Sequence, residues 1–247
     1  LPPVTAEPRP EKIPLSFSQE RLWFIDQLEG SVQYHVPAVL RLKGNLNIEA
    51  LTKSLQTIIN RHEVLRSVIL QEDGAGFQIV QDKDNWDLEI IDGANYKDKP
   101  EELQSNILKL IGKPFDLSKD HMMRIHLIKL SNDENVLVIT MHHIASDGWS
   151  VSVIVNELAE LYEAYDKNID SKLPVLEVQY ADFAIWQRKH LQGEMLDKKL
   201  AYWKDKLADV EPIQLPIDFE RPPVQSIKGA NVNFEIGKEL SDALQTL

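Results

Sequence analysis

The ten residues Met141–Ser150, Met-His-His-Ile-Ala-Ser-Asp-Gly-Trp-Ser, constrain this chain more than any other stretch. Upstream lies an apolar run, Asn135–Thr140, and downstream an amphipathic one, Val151–Tyr165. A short unbroken apolar run reads as a buried strand, and apolar residues recurring at helical spacing read as a helix packed by one face. The decapeptide is therefore a strand-to-helix connection, where an exposed side chain can be held firmly enough to act on a substrate.

The rest of the chain alternates in the same way. Helices are expected over Phe17–Leu28, with Ser16 as its cap and Leu22, Ile25 and Leu28 on one face, and over Asn47–Asn60, Glu101–Ile111 and Val151–Tyr165. Two more follow near Ala181–Leu191 and Leu196–Leu207. Strands are expected over His35–Leu42, Leu88–Ile91, Arg124–Leu130 and Asn135–Met141, with a hairpin where Val68–Leu70 and Phe77–Val80 flank Asp73-Gly74. Residues 211–228 carry four prolines and read as a crossover loop, and Val232–Ile236 reads as the start of a new strand. The fold class is α/β, a mixed sheet packed by helices. Leu1–Pro14 is proline-rich and charged, without a signal-peptide apolar core, and reads as a linker entering a domain.

Composition excludes several functions. The formal net charge of -12 has both signs scattered along the chain, so there is no basic stripe for nucleic acid. No apolar run approaches the ~20 residues that span a membrane. The chain has no cysteine, so it contains no disulfide, thiolate metal site or cysteine nucleophile, which fits a reducing cytoplasmic setting.

Histidine is the usual general base near neutral pH. At a strand end, His142 and His143 point to opposite faces, so one faces a cavity while the other packs inward. That divergence, with no third ligand nearby, argues against zinc. Asp147 orients a histidine, pairs with an arginine or caps the following helix; Ser146 is a second candidate cap. Gly148 permits close backbone approach and φ values that other residues avoid, and its amide is a candidate oxyanion donor.

The decapeptide resembles the core motif of the condensation domains of nonribosomal peptide synthetases. Three further motifs of that family occur in order: Ser16-Phe17-Ser18-Gln19-Glu20-Arg21-Leu22-Trp23, then Arg61-His62-Glu63-Val64-Leu65-Arg66, then Tyr180-Ala181-Asp182-Phe183-Ala184-Ile185-Trp186. Pro114-Phe115-Asp116-Leu117 with Arg124 beyond it, and Tyr202-Trp203 ahead of Leu215-Pro216, agree as well. Ser18 stands where alanine is more usual, and Ser67-Val68-Ile69 replaces a typical Thr-x-Phe.

The resemblance implies two subdomains like chloramphenicol acetyltransferase with a tunnel between them. On that pattern residues 1–14 are a linker from an upstream carrier domain, 15–210 the N-terminal subdomain, and 211–247 the crossover and the start of a C-terminal subdomain. It implies His143 as the catalytic residue, acting on the acceptor amine by deprotonation or by positioning, with Asp147 and Gly148 beside it. His142, Arg66, Arg61, Trp149 and Ser150 support them, Asp147 through a salt bridge to Arg66 or Arg61. No cofactor is bound directly; substrates arrive on the 4′-phosphopantetheine of donor and acceptor peptidyl carrier proteins, with an adenylation domain in the same polypeptide. The residues around Asp147 resemble those of the class joining an L-donor to an L-acceptor. Two other readings stand beside this one: a coenzyme A-dependent acyltransferase, and a catalytically silent recruitment domain of the same fold. The isolated fragment is expected to be inactive.

Overall fold

The computed structural model describes residues 1–220, 222–224, 232 and 234–247. These fall into two units, Leu1–Lys206 and Leu207–Leu247.

In the first unit, β1 (Ile13–Pro14) leads into α1 (Phe17–Glu29). Ser16 caps α1 in a capping box, its Oγ taking the Gln19 amide while the Gln19 side chain takes the Ser16 amide. Gln19 and Trp23 are the buried residues of α1, and Leu28, expected on its inner face, is 70% exposed. The helix turns its Gln19–Trp23 side inward, so its last turn projects past the core.

After a 3-10 turn at Val32–Tyr34 come β2 (His35–Lys43) and α2 (Ile48–Arg61), the latter capped by the Asn47 side chain on the Ala50 amide. Then β3 (Ser67–Glu72) and β4 (Ala75–Val80) form the expected hairpin. Asp73 and Gly74 both take positive φ, 49° and 81°, the type I′ geometry that suits strand twist and favours Asp-Gly. There follow β5 (Glu89–Asp92), α3 (Pro100–Gly112), β6 (Met123–Lys129), β7 (Glu134–His142), α4 (Gly148–Lys167), α5 (Tyr180–His190) and α6 (Gly193–Lys206).

Among the described residues there are two sheets. The smaller is antiparallel, in the order β1-β4-β3; the larger is mixed, in the order β2-β7-β6-β5, with β5 and β6 parallel. The larger sheet is covered on both faces. Leu137, Ile139 and Met141 pack with Leu51, Leu55 and Ile58 of α2 and Ile154 and Leu161 of α4. Val136 and Val138 pack with Leu103 of α3. A strand buried on both sides needs apolar residues throughout, which is why β7 reads as a continuous run rather than an alternation.

A third cluster joins the small sheet to α1 through Leu15, Trp23, Ile69, Phe115, Leu117, Met122 and Ile144. Arg124 clamps this region, its guanidinium 4.2 Å from the Phe115 ring centre and donating to the carbonyls of Lys113 and Pro114.

Residues 1–14, read from the sequence as a linker, lie against this unit. Ile13–Pro14 pairs with β4, Arg9 forks onto both oxygens of Asp182 at 2.8 and 3.0 Å, and the Trp186 indole donates to the Pro2 carbonyl. Local patterning gives no sign of this, because the partners lie far along the chain, on β4 and α5. In the second unit the described helix is α7 (Lys238–Thr246). The expected strand over Val232–Ile236 includes Asn233, which lies outside the described residues; Phe234–Ile236 is not in a strand.

Candidate active site

The histidine pair stands at the end of β7. His142 is its last residue, paired in register with His35 of β2, and it is fully buried. Its Nδ1 accepts from the Ile144 amide at 3.0 Å, so the proton sits on Nε2, which donates to Ser31 Oγ at 2.8 Å. Ser31 Oγ in turn donates to Asp26 Oδ1. Burial, and then the nearby His35 and His143, push the His142 imidazole down to about 4, so it is neutral at physiological pH. Around it stand the Phe115 ring at 5.7 Å and the His35 ring at 6.0 Å. His35 donates from Nδ1 to the Ile111 carbonyl of α3, and its own pKa is lowered, by burial above all.

His143 turns the other way. Its Nδ1 lies 2.5 Å from the Ser146 carbonyl oxygen, which can only accept, so Nδ1 carries the proton. Nε2 is left as a lone pair without a partner among the described residues. The main chain is held as well, the His143 amide donating to the Tyr34 carbonyl at 2.9 Å. His143 borders a cleft of about 430 Å³ together with Ser18, Arg21, Tyr34, Asp147 and Tyr180. The chemistry of Ser18 and Arg21 on α1, and of Tyr34 after it, does not single them out in the sequence; only their tertiary placement brings them to the cleft. Tyr180 is fixed by a hydrogen bond between its hydroxyl and Ser16 Oγ at 3.0 Å.

Asp147 is the N-cap of α4, and the helix starts at Gly148, earlier than the expected Val151. Its Oδ1 accepts from the Ser150 amide at 2.9 Å and from the Ser150 hydroxyl at 2.6 Å. These bonds, the side-chain one foremost, hold its carboxyl below the usual carboxylate range. A carboxylate at a helix N-terminus also meets the positive end of the helix dipole.

The expected salt bridge from Asp147 to an arginine is not formed. Arg66 is buried, bonded through Nη1 to the Gln81 carbonyl, with Nη2 3.8 Å from Glu63. Arg61 binds Glu157 of α4 at 3.0 Å. Both arginines border a different cleft, beside Lys83. Arg61 is held by Glu157 and Arg66 by the Gln81 carbonyl, and the Asp147 oxygen is engaged by its own helix.

Gly148 also differs from expectation. Its φ is not positive, and a Cβ built there would meet nothing within 4 Å. Trp149 follows it at 82% exposure.

Comparison with known proteins agrees with this architecture. The family model described as "Condensation domain" matches residues 10–247. This chain belongs to the condensation domain family. It is 41% identical over 252 residues to a linear gramicidin synthase polypeptide of Brevibacillus parabrevis, aligning 100% of this chain with 5% of that protein. It is also 41% identical over 237 residues to the beauvericin nonribosomal cyclodepsipeptide synthetase of Beauveria bassiana, with 93% of this chain and 7% of that protein aligned. The chain therefore spans a small part of each of these synthetases.

Among solved structures, the X-domain in complex with OxyB from teicoplanin biosynthesis aligns with a TM-score of 0.79 at 30% identity, over 90% of this chain and 49% of that one. The first condensation domain of the calcium-dependent antibiotic synthetase aligns at 0.69 and 20% identity, over 82% of this chain and 49% of that one, a likeness of fold. The chain spans about half of each solved domain. Among the described residues no helix is long and apolar enough to cross a membrane.

Proposed function

We propose that this chain is the N-terminal subdomain of a peptide-bond-forming condensation domain, and that His143 acts on the acceptor amine. The observation that carries the reading is the tautomer of His143: with Nδ1–H on the Ser146 carbonyl, Nε2 offers its lone pair to the cleft.

An amine attacks a thioester only when neutral. Nε2 accepts a hydrogen bond from that amine, orients its lone pair towards the donor carbonyl and takes the proton as the carbon–nitrogen bond forms. The same proton then passes to the departing thiolate, leaving an amide on the acceptor and a free thiol on the donor carrier. The charged imidazolium of the intermediate state is stabilised by its Nδ1–H bond to Ser146 and by the ionised Asp147 on the cleft wall. Tethering both substrates on phosphopantetheine arms supplies much of the rest of the acceleration through proximity.

In this reading the partners are an upstream donor and a downstream acceptor carrier protein, an adenylation domain shares the polypeptide, and the setting is the cytoplasm. The motif sequence favours an L-donor joined to an L-acceptor. Residues 211–247 open the C-terminal subdomain, and because the tunnel takes a wall from each subdomain, residues 1–247 by themselves are expected not to turn over.

The test uses the protein that carries this chain with the second half of its domain, and separately loaded donor and acceptor carriers. Intact-protein mass spectrometry follows transfer. His143→Ala is expected to lower the rate by about a hundredfold or more with folding retained. Undiminished transfer would rule out a chemical role for His143.

A second reading, a recruitment domain of the same fold, is favoured by the likeness to an X-domain solved in complex with OxyB. Absence of transfer from the unmodified protein with every loaded pair would select it.

A further inference from the structure

We infer that Ser31 is a positioning residue for His143, holding both members of the histidine pair from one loop position; this rests on the role of His143 proposed above. Ser31 lies between α1 and the 3-10 turn and is only 4% exposed. Its Oγ accepts from His142 Nε2 at 2.8 Å and donates to Asp26 Oδ1 at 2.5 Å. Its carbonyl accepts from the Tyr34 amide at 2.8 Å, and the Tyr34 carbonyl accepts from the His143 amide at 2.9 Å. The side chain of Ser31 thus fixes the imidazole of His142, while its main chain fixes the backbone of His143 through Tyr34.

The two paths meet around His143. The Ile144 amide donates to His142 Nδ1, so the His142 imidazole closes a small ring across His143. The Ser146 hydroxyl donates to the His142 carbonyl at 3.1 Å and closes the next turn. Removing the Ser31 hydroxyl strands a buried Nε2–H, which water cannot reach. The ring recovers a partner only by rotating, and rotation breaks the bond from Ile144. The disturbance is delivered to the residue that carries the base, whereas Ser31 itself does not border the cleft and removes no substrate contact.

The experiment measures transfer between loaded carriers by Ser31→Ala and Ser31→Thr variants of the two-subdomain protein, alongside imidazole nitrogen resonances in histidine-labelled samples. Ser31→Ala is expected to lower kcat roughly ten- to a hundredfold with KM unchanged, the loss that corresponds to one stranded buried donor. Ser31→Thr, which keeps the hydroxyl, restores most of it. In the spectra His143 changes in Ser31→Ala from a single Nδ1–H tautomer to a mixture.

An unchanged kcat, or a fall carried by KM alone, overturns the inference. If His143→Ala itself leaves transfer intact, the proposed chemistry fails. The spectra then decide separately, an undisturbed His143 tautomer in Ser31→Ala counting against Ser31. Should Ser31→Ala not fold, Asp26→Ala takes its place, since it deprives the Ser31 hydroxyl of its acceptor. The same split of kcat from KM is expected, and an unchanged kcat again overturns the inference.

Discussion

Glu157 Oε2 lies 2.7 Å from His62 Nε2, and its other oxygen lies 3.0 Å from Arg61 Nε. One buried carboxylate on α4 therefore holds the two residues where α2 ends and the next turn begins. Burial pushes the Glu157 carboxyl up, but the hydrogen bonds and charges of His62 and then Arg61 prevail and hold it below its usual range. The Glu63 amide, next in the chain, is taken by the Gln179 side chain, which also donates to the Arg61 carbonyl. The segment Arg61–Arg66 is thus a joint between α2, α4 and α5.

Removing the Glu157 carboxylate leaves a nearly buried guanidinium unpaired. Glu157→Ala is expected to cost about 3 kcal/mol, read as a shift in the denaturant midpoint. Because the folded pKa is depressed, this contribution is present above the unfolded carboxylate pKa and is lost as pH falls through the folded one. The variant should lose less stability than the parent over that acid range.

Asp147 supports α4 as a cap. Asp147→Ala should destabilise by about 1 kcal/mol, and Asp147→Ser should recover most of it. A double-mutant cycle between Asp147 and Arg66 should be additive within about 0.5 kcal/mol, since the two do not touch. A coupling of several times that value would mean that the pair forms in solution.

His142 supplies a pH signature of its own. Its folded pKa of about 4 lies below the ordinary histidine value of 6.5, so the unfolded chain binds the proton more tightly. The stability that comes from keeping it neutral is intact above pH 6.5, declines as pH falls towards 4 and is gone below that. The shift corresponds to about 3 kcal/mol. Chemical denaturation from pH 7 to 4, compared between the parent and His142→Gln, should show the parent losing the larger part; parallel curves would contradict it.

Two glycines should behave oppositely. A Cβ at Gly93 would stand 2.4 Å from Ile128 Cγ2, inside the buried α3 face of the sheet. Gly93→Ala should therefore destabilise by about 2 kcal/mol through overpacking. Gly148→Ala meets open space in ordinary helical backbone, and thermal unfolding should show no loss of stability.

How much of this is legible in the sequence follows from range. Ser16, Asn47 and Asp73-Gly74 act within a few residues of themselves, and the elements they bound stand where their spacing puts them. The Asp147–Ser150 cap is equally local and is one of the roles open to Asp147 in the sequence, yet the resemblance points to an arginine, and the fold commits Arg61 to Glu157. Glu157 itself is silent, because its partners lie on another helix and nothing in an amphipathic pattern marks one glutamate among several. Ser31 is silent for the same reason: a lone loop serine acquires meaning only when β7 arrives beside it.

The two imidazoles at the end of β7 are chemically identical, and what separates the buried one from the one in the cleft is parity along the strand. An extra residue inserted in β7 would carry His142 into the seat of His143 and bring Met141 against Ser31, leaving an imidazole in the cleft beside a side chain that cannot bond Ser31. A deleted residue would bury His143 and present Ile144 to the cleft. The doubled histidine is therefore not a repeat of one environment, and the residue count in β7 decides which imidazole is buried and which opens to the cleft.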